Sequence, residues 1–169
     1  MKMFGTKSLS SYLFTLSRVV SVLILLLALF IIISILTNNM ALLDGRFAIA
    51  LPVSNMEIKA NYNLKTIFTI SSTLVFYAGY IYLLSLIFKT FKAEKLFTKT
   101  AVKYLKYFTV LNLIVFPFSY LFIRFVVMGG VKINIPFIVL HVLVGVLSAF
   151  LIALFNNGYS VQKENDLTI

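Results

Sequence analysis

The chain has 169 residues, of which 61% are hydrophobic and 12% are charged, and its formal net charge at pH 7 is +10. Soluble domains have about 45–50% apolar and about 25% charged residues, so this composition argues against a water-soluble protein and indicates a membrane protein. The sequence contains no cysteine, which excludes disulfides, thiolate metal sites and a cysteine nucleophile.

Four apolar segments predict four transmembrane helices, because a helix needs about 20 apolar residues to cross the hydrocarbon core. The first contains eighteen uncharged residues, 19–36, and lacks an A-x-A cleavage pattern, so we expect an uncleaved span and not a signal peptide. The predicted spans are residues 12–36, 66–91, 99–127 and 136–157. We therefore expect an all-α membrane protein, a single domain over residues 1–169 built as a four-transmembrane-helix bundle.

The connection between spans one and two, residues 37–65, is predicted to form a small extracytoplasmic β-hairpin. Hydrophobic and polar residues alternate from Met56 to Tyr62, a period that is typical of a half-buried strand. The apolar run at residues 47–53 precedes this segment and can pair with it, but Pro52 favours an edge position in the sheet.

Span two carries Ser71, Ala78 and Ser85 at seven-residue spacing. Small side chains on one stripe allow two helices to approach closely, so we expect this face to contact another helix. Chance in a serine-rich helix is an equally weighted alternative.

The connection between spans two and three, residues 89–106, is rich in lysine and is predicted to be the cytoplasmic loop. Three of its lysines follow an i, i+4, i+7 pattern on one face of a helix that can begin after Thr98 as N-cap. The candidate interaction lysines are Lys92, Lys95, Lys99, Lys103 and Lys106. Contact with anionic lipid headgroups is the favoured interpretation, and an acidic protein surface is the alternative.

Span three contains Pro117, which is predicted to kink the helix because its ring clashes with the carbonyl of Leu113. Asn112, five residues before the proline, is a candidate interhelical hydrogen-bond donor.

Span four is predicted to begin at Pro136 and to stop at Asn156, Asn157 and Gly158. Its small residues Gly145, Ala149 and Ala153 repeat every four positions, a pattern that indicates helix packing. His141 is the only histidine in the chain, so we favour a hydrogen-bonded packing role over a pH-sensing one.

The remaining residues, 158–169, are predicted to be a cytoplasmic tail. Its candidate interaction residues are Glu164, Asn165, Asp166 and Leu167. Docking of this tail on the basic loop is favoured over binding of a partner, because an intramolecular contact has the smaller entropic cost.

The charge distribution predicts that both termini are cytoplasmic. In that orientation ten Lys and Arg residues lie inside and five lie outside, which satisfies the positive-inside rule. A bacterial inner membrane is the expected location.

The sequence contains few residues or motifs that are typical of catalysis or ligand binding. The four predicted spans contain no Asp or Glu, and the chain has no Gly-rich phosphate loop, H-E-x-x-H pair or G-x-S-x-G elbow. We therefore expect no enzymatic activity, no cofactor, no metal site and no direct nucleic-acid binding.

Two stretches, IFKTFKAEKLFTKTAVKYLKYF at residues 87–108 and NNGYSVQKENDLTI at residues 156–169, resemble a bacterial membrane family called domain of unknown function 2975. The resemblance covers the C-terminal half best. It implies a small four-span protein with an extended first outer loop, and a neighbouring helix-turn-helix regulator of the Xre/Cro type. It implies no catalytic residues.

The leading hypothesis is thus a non-enzymatic membrane protein that binds or modulates such a regulator through its basic loop and tail. The alternative hypothesis is a small transport or immunity-type component that forms a homo-oligomer through spans two and four.

Overall fold

A computed structural model of the chain describes residues 2–52, 54–93, 95–130 and 133–167, with side chains described as far as Asn165 in the last helix. We number its elements in chain order. They are α1 (Leu9–Leu36), β1 (Ala41–Leu43), β2 (Arg46–Ala50), β3 (Glu57–Asn61), α2 (Leu64–Phe91), α3 (Lys99–Val110), a first π-helical segment (Leu111–Val115), α4 (Phe116–Phe122), a second π-helical segment (Ile123–Val127) and α5 (Ile135–Leu167).

The predicted fold class is confirmed, because four helical stretches of the described chain are long and apolar enough to cross a membrane. They are Leu9–Leu36, Leu64–Phe91, Lys99–Val127 and Ile135–Asn165. A 28-residue helix such as α1 is about 42 Å long, which exceeds the roughly 30 Å hydrocarbon core. The chain is therefore a multi-pass membrane protein, and its helices are long enough to extend beyond the hydrocarbon.

The chain forms two compact units. The larger unit comprises Met1–Val19 and Tyr80–Ile169, and the smaller unit comprises Val20–Gly79. Helices α1 and α2 contribute residues to both units.

The smaller unit contains a three-stranded antiparallel sheet in the order β1-β2-β3. Strands β2 and β3 pair with Phe47 opposite Ala60 and Ile49 opposite Ile58. The side chains of Phe47 and Ile49 are buried with Ile31 of α1, whereas alternate residues of β3 are exposed. The predicted hairpin between the apolar run and the alternating segment is therefore confirmed.

Two details of the sheet differ from prediction. Strand β1 was not predicted, although Asp44 and Gly45 between β1 and β2 are a signal for a two-residue hairpin turn. Both have the positive φ that such a turn requires, 49° and 73°. The edge position predicted from Pro52 is wrong, because β2 is the central strand and ends at Ala50, so the proline is not required to donate to the ladder.

Within the smaller unit, α1 and α2 meet at the small-residue stripe of span two. The Ser21 hydroxyl donates a buried hydrogen bond of 2.8 Å to the carbonyl of Ala78. Ala78 is itself buried, and a small side chain leaves its carbonyl accessible to the other helix. Ser71 has a buried hydroxyl oxygen without a hydrogen-bond partner. Ser85, in the larger unit, is buried and donates to the carbonyl of Tyr82 at 2.6 Å.

The core of the larger unit is built around α3. Helix α3 begins where predicted, because the Thr98 hydroxyl accepts a hydrogen bond from the backbone N–H of Ala101 at 3.1 Å. Its apolar face is buried against residues of α2 and α5. The buried residues of this core are Ile87, Ala101, Val102, Leu105, Phe108 and Phe155.

The kink predicted at Pro117 stays a prediction, and the helix contains a π-helical turn just before the proline. In the segment Leu111–Val115 the chain widens immediately before the proline, and the Phe116 N–H donates to the Leu111 carbonyl five residues earlier. A regular α-helix would press the proline ring against the Leu113 carbonyl, and the wider turn changes the positions of the carbonyls in that segment.

The predicted end of span four at Asn156–Gly158 is wrong, because α5 continues without interruption to Leu167. The first ten residues of the predicted tail are therefore helical. Gly158 has a packing role in place of the predicted capping role: a Cβ atom there would lie 2.5 Å from Cδ1 of Phe97. Its missing side chain allows the Phe97 ring to pack directly on the α5 backbone.

The packed face of α5 also differs from the predicted small-residue stripe. Gly145 is buried, and a Cβ atom there would lie 2.6 Å from Cδ2 of Leu113. Ala149 and Ala153, in contrast, are exposed. The buried positions of this face are His141, Gly145, Ser148 and Phe155. These positions recur at intervals of three, four and seven residues, so the contact stripe of α5 follows a heptad-like spacing and not the four-residue one.

We predict that Gly158→Ala lowers the free energy of unfolding in detergent by about 1–3 kcal/mol, because the added methyl group would overlap the Phe97 ring. The matched control is Gly79→Ala, a helical glycine at which a Cβ atom would meet nothing within 4 Å. That variant should be neutral or up to about 1 kcal/mol more stable, since alanine favours helix. Equal destabilisation of both variants, measured by denaturant unfolding, would contradict the packing role of Gly158.

Candidate functional site

A groove of about 380 Å³ lies between α3 and the C-terminal part of α5, and its charged lining consists of lysines alone. We call it the lysine groove. Its lining residues are Lys99, Val102, Lys103, Lys106, Tyr107, Asn156 and Tyr159. Three of the five lysines predicted as interaction residues therefore meet in one concave surface. The polar side chains of Tyr107, Asn156 and Tyr159, which were not predicted as interaction residues, lie in the same surface.

The position of the lysines follows from the amphipathic character of α3. Thr98 caps the helix at its first turn, and the apolar side chains of Val102, Leu105 and Phe108 are buried in the core. Lys103 and Lys106 are consequently exposed, as is Lys99 in the first turn. Because i, i+4 and i+7 lie on one helix face, the three ammonium groups project from the same side of α3.

The second wall of the groove is formed by Asn156 and Tyr159 of α5. Of the two, Tyr159 belongs to the part of the helix that continues beyond residue 158. Phe97 fixes the continuation against the start of α3, since its ring packs on Gly158 and makes an edge-to-face contact with Phe155 at 5.2 Å between ring centres. The glycine that was predicted to end the helix thus helps to build the groove.

The polar groups of the groove have few partners of their own. Lys99 Nζ lies 5.9 Å from the Tyr159 ring centre, and Lys103 Nζ lies 5.6 Å from the Tyr107 ring centre. Within the described ranges, none of Lys99, Lys103 and Lys106 has an ion-pair partner. Like charges at i and i+4 repel each other, so an anion in the groove would be stabilised by all three lysines.

The other predicted interaction residues lie outside the lining of this groove. Lys92 Nζ is 5.4 Å from the ring centre of Phe14, near the start of α1. Lys95 precedes α3, and Glu164 and Asn165 are exposed near the end of α5. Asp166 and Leu167 are helical, but their side chains lie outside the described part of the chain. Docking of the tail on the basic loop stays a prediction.

A second polar site is buried between spans two, three and four. Asn112, in the first π-helical segment, is fully buried and donates through Nδ2 to the Phe108 carbonyl at 2.8 Å. Its Oδ1 therefore faces Nδ1 of His141 at 2.9 Å, so Nδ1 is the donor of that hydrogen bond. The side chain of Asn112 also hydrogen-bonds with Tyr80 of α2. An interhelical hydrogen bond is thus present at Asn112, but towards α5 Asn112 is the acceptor and not the predicted donor.

Aromatic rings surround the His141 imidazole. Phe116 stacks on it with ring centres 3.4 Å apart and an interplanar angle of 17°. Tyr80 and Phe137 present edge-to-face contacts, each at 5.5 Å. A hydrogen-bonded imidazole enclosed by rings is the geometry of a packing histidine, which is the role favoured from the sequence. In the described residues, no group of three metal-ligating side chains is arranged to hold a metal ion.

We predict that Asn112→Ala lowers the free energy of unfolding in detergent by about 1–2 kcal/mol, because it leaves the buried His141 Nδ1 without its acceptor. The control is Asn157→Ala, an exposed position on α5 that should change the free energy of unfolding by less than about 0.5 kcal/mol. If the two variants unfold at the same denaturant concentration, the buried cluster contributes nothing measurable to stability.

Comparison with known proteins identifies a family for the chain. No curated protein and no solved structure matches the chain. The family model described as "Protein of unknown function (DUF2975)" matches residues 48–169, which is more than half of the chain and includes the second, third and fourth spans and the lysine groove. The chain therefore belongs to the family of domain of unknown function 2975.

Proposed function

We propose that the chain is a non-enzymatic inner-membrane protein that binds an acidic segment of a cytosolic protein in the lysine groove. The observation that carries this proposal is the convergence of three lysines without ion-pair partners in the described chain on one groove of about 380 Å³. Asn156 and Tyr159 supply further polar groups to the same surface. Such a groove suits several carboxylates on a short peptide better than it suits a single small anion.

The orientation of the chain supports a cytosolic partner. The stretch from the end of α2 into α3 carries six lysines, from Lys89 to Lys106, and short stretches between spans that are rich in lysine and arginine stay on the cytoplasmic side. We therefore place the lysine groove and both termini in the cytoplasm. In that orientation the β-sheet of residues 41–61 belongs to the outer loop.

A helix-turn-helix regulator is the partner that we propose, following the resemblance described above. The membrane protein would hold or release the regulator, and the regulator alone would contact DNA. Electrostatic recognition of this kind is fast and weakens with added salt, which suits reversible capture. The lysines contribute mainly at the rim of such an interface, so the affinity is expected to be moderate.

A transport component is the second candidate function, and the buried cluster of Tyr80, Asn112 and His141 is the observation that favours it. Polar groups within membrane spans often mark pathways for ions or substrates. In reconstituted liposomes, a flux that disappears in His141→Ala and Asn112→Ala would support transport. A regulator phenotype without any flux would support the docking function.

The proposed orientation predicts the behaviour of reporters fused after Ile169. A fluorescent protein at this position should be bright and an alkaline phosphatase should be inactive, because only the fluorescent protein matures in the cytoplasm. A phosphatase fusion in the loop at residues 37–40 should be active and provides the control. The opposite pattern at the C-terminus would place the lysine groove outside the cell and would exclude a cytosolic partner.

The docking function predicts that the triple variant Lys99→Gln, Lys103→Gln and Lys106→Gln weakens binding of the regulator encoded beside this gene about 10- to 100-fold. Each solvated ion pair with the partner contributes about 0.5–1 kcal/mol, and the triple variant removes three such pairs. Co-purification from mild detergent, followed by a titration at several salt concentrations, would measure the loss.

The matched control for that variant removes the same charge elsewhere, as Lys7→Gln, Lys89→Gln and Lys163→Gln. All three of these lysines are exposed and lie outside the groove lining. The control variant should bind the regulator within about twofold of wild type, since generic surface charge contributes little to a specific pair. Equal binding by the wild type and both triple variants would refute docking in the lysine groove.

A further inference from the structure

A second group of cations lies on the larger unit, away from the lysine groove. Arg18 of α1 places its guanidinium carbon 4.3 Å from the Tyr82 ring centre and 5.8 Å from the Phe14 ring centre. Lys92, directly after α2, places Nζ 5.4 Å from the same Phe14 ring centre. We call Arg18 and Lys92, which share the Phe14 ring as a neighbour, the Arg18–Lys92 clamp.

Within the described part of the chain, no carboxylate pairs with either cation of the clamp. The side-chain contacts of Arg18 and Lys92 there are these ring contacts. Two positive groups beside one aromatic ring repel each other. An anion between them would remove that repulsion and gain attraction from both.

Both cations of the clamp border uncharged, apolar stretches. Arg18, the tenth residue of α1, immediately precedes the uncharged run of residues 19–36, and Lys92 follows the last residue of α2. At the border of such a stretch a long basic side chain can extend its charge to the lipid headgroups. A soluble anion would have to enter the headgroup region from water, whereas the phosphate of a lipid is already located there.

The surroundings of the clamp also offer a surface for an acyl chain. Val19, the residue after Arg18 in α1, is 50% exposed, and its side chain leaves the helix about 100° round the axis from that of Arg18. An apolar surface near two cations matches the two ends of a phospholipid. Binding of free phosphate would require no apolar surface.

The backbone on which the clamp is built is held in place by the N-terminal segment. The Gly5 N–H donates to the Phe91 carbonyl at 3.2 Å, and the ring of Phe4 packs edge-to-face on the Phe91 ring at 5.9 Å. The Ser8 hydroxyl in turn donates to the Gly5 carbonyl at 2.6 Å. Lys92 therefore extends from a backbone that is fixed before any ligand arrives, which reduces the entropic cost of binding.

We propose that the Arg18–Lys92 clamp binds the phosphate of an anionic phospholipid headgroup. The planar guanidinium of Arg18 can donate hydrogen bonds to two phosphate oxygens at once. Lys92, directly after α2, adds a second positive charge. A headgroup whose only charge is the phosphate brings one negative charge to the two cations and no positive charge of its own. The ammonium group of phosphatidylethanolamine would be repelled by the clamp, so the site favours phosphatidylglycerol.

The test is lipid binding to the detergent-purified full chain, with phosphatidylglycerol and phosphatidylethanolamine as probes and native mass spectrometry as the readout. Wild type should retain phosphatidylglycerol about tenfold better than phosphatidylethanolamine. Lys92→Gln should reduce that preference about five- to tenfold, and Arg18→Lys should reduce it several-fold because the fork of two donors is lost. Equal retention of the two lipids by wild type would overturn the proposal.

The charge-matched control is Lys163→Gln, which removes one exposed positive charge outside the lining of the lysine groove and leaves the clamp intact. It should keep the full preference for phosphatidylglycerol. A loss of preference equal to that of Lys92→Gln would show that the lipid preference depends on net charge alone, and would overturn the proposed site. Lys92 follows the end of α2, so its substitution leaves the helix intact and the variant decides the test even if Arg18 variants fold poorly. Displacement of the lipid by millimolar inorganic phosphate would also overturn the proposal, since it would identify a soluble anion as the ligand.

The clamp does not depend on the proposed function of the lysine groove. Lys92→Gln should still bind the regulator, and Lys103→Gln should still select phosphatidylglycerol. Failure of one proposal is therefore visible without failure of the other.

Discussion

The hydrocarbon core of a bilayer provides neither water for backbone groups nor counter-ions for side chains, and this constraint governs the rest of the molecule. Backbone groups must bond within each helix, and charges must collect at the helix ends. This chain has fifteen basic residues and only five acidic ones. Its cations therefore meet at the span boundaries with few carboxylates to pair with them. The lysine groove and the Arg18–Lys92 clamp are both consequences of that imbalance.

The same constraint explains how the interior handles its polar groups. Asn112 and His141 are buried within spans, yet each is hydrogen-bonded, and aromatic rings fill the space around the imidazole. The first π-helical segment holds Asn112 and ends just before Pro117, so a single local distortion accompanies both the proline and the interhelical hydrogen bond. Gly145 completes the arrangement, because a side chain there would overlap Leu113. Irregular backbone is tolerated at this depth where other helices cover it.

Glycine and alanine positions show where local patterns mislead. Gly158 follows two asparagines and has the sequence context of a helix end, but a long-range contact with Phe97 determines its role. Ala149 and Ala153 repeat with Gly145 at the spacing of a packing motif, yet they are exposed and only the glycine is buried. A small residue permits close approach, and whether another helix uses it depends on the direction from which that helix arrives. That direction is not encoded in the spacing.

Hydropathy and periodicity are local properties, so the sequence by itself determined the four spans and the Thr98 cap. It also determined the strand pair of the outer loop and the shared helix face of Lys99, Lys103 and Lys106. Only the tertiary structure decided which surfaces these elements form together. The second wall of the lysine groove needs α5 to continue past Gly158, and the clamp needs Arg18 and Lys92 to meet at Phe14 across more than seventy residues of chain. Such contacts depend on the packing of distant segments, which leaves no periodic signal in the sequence.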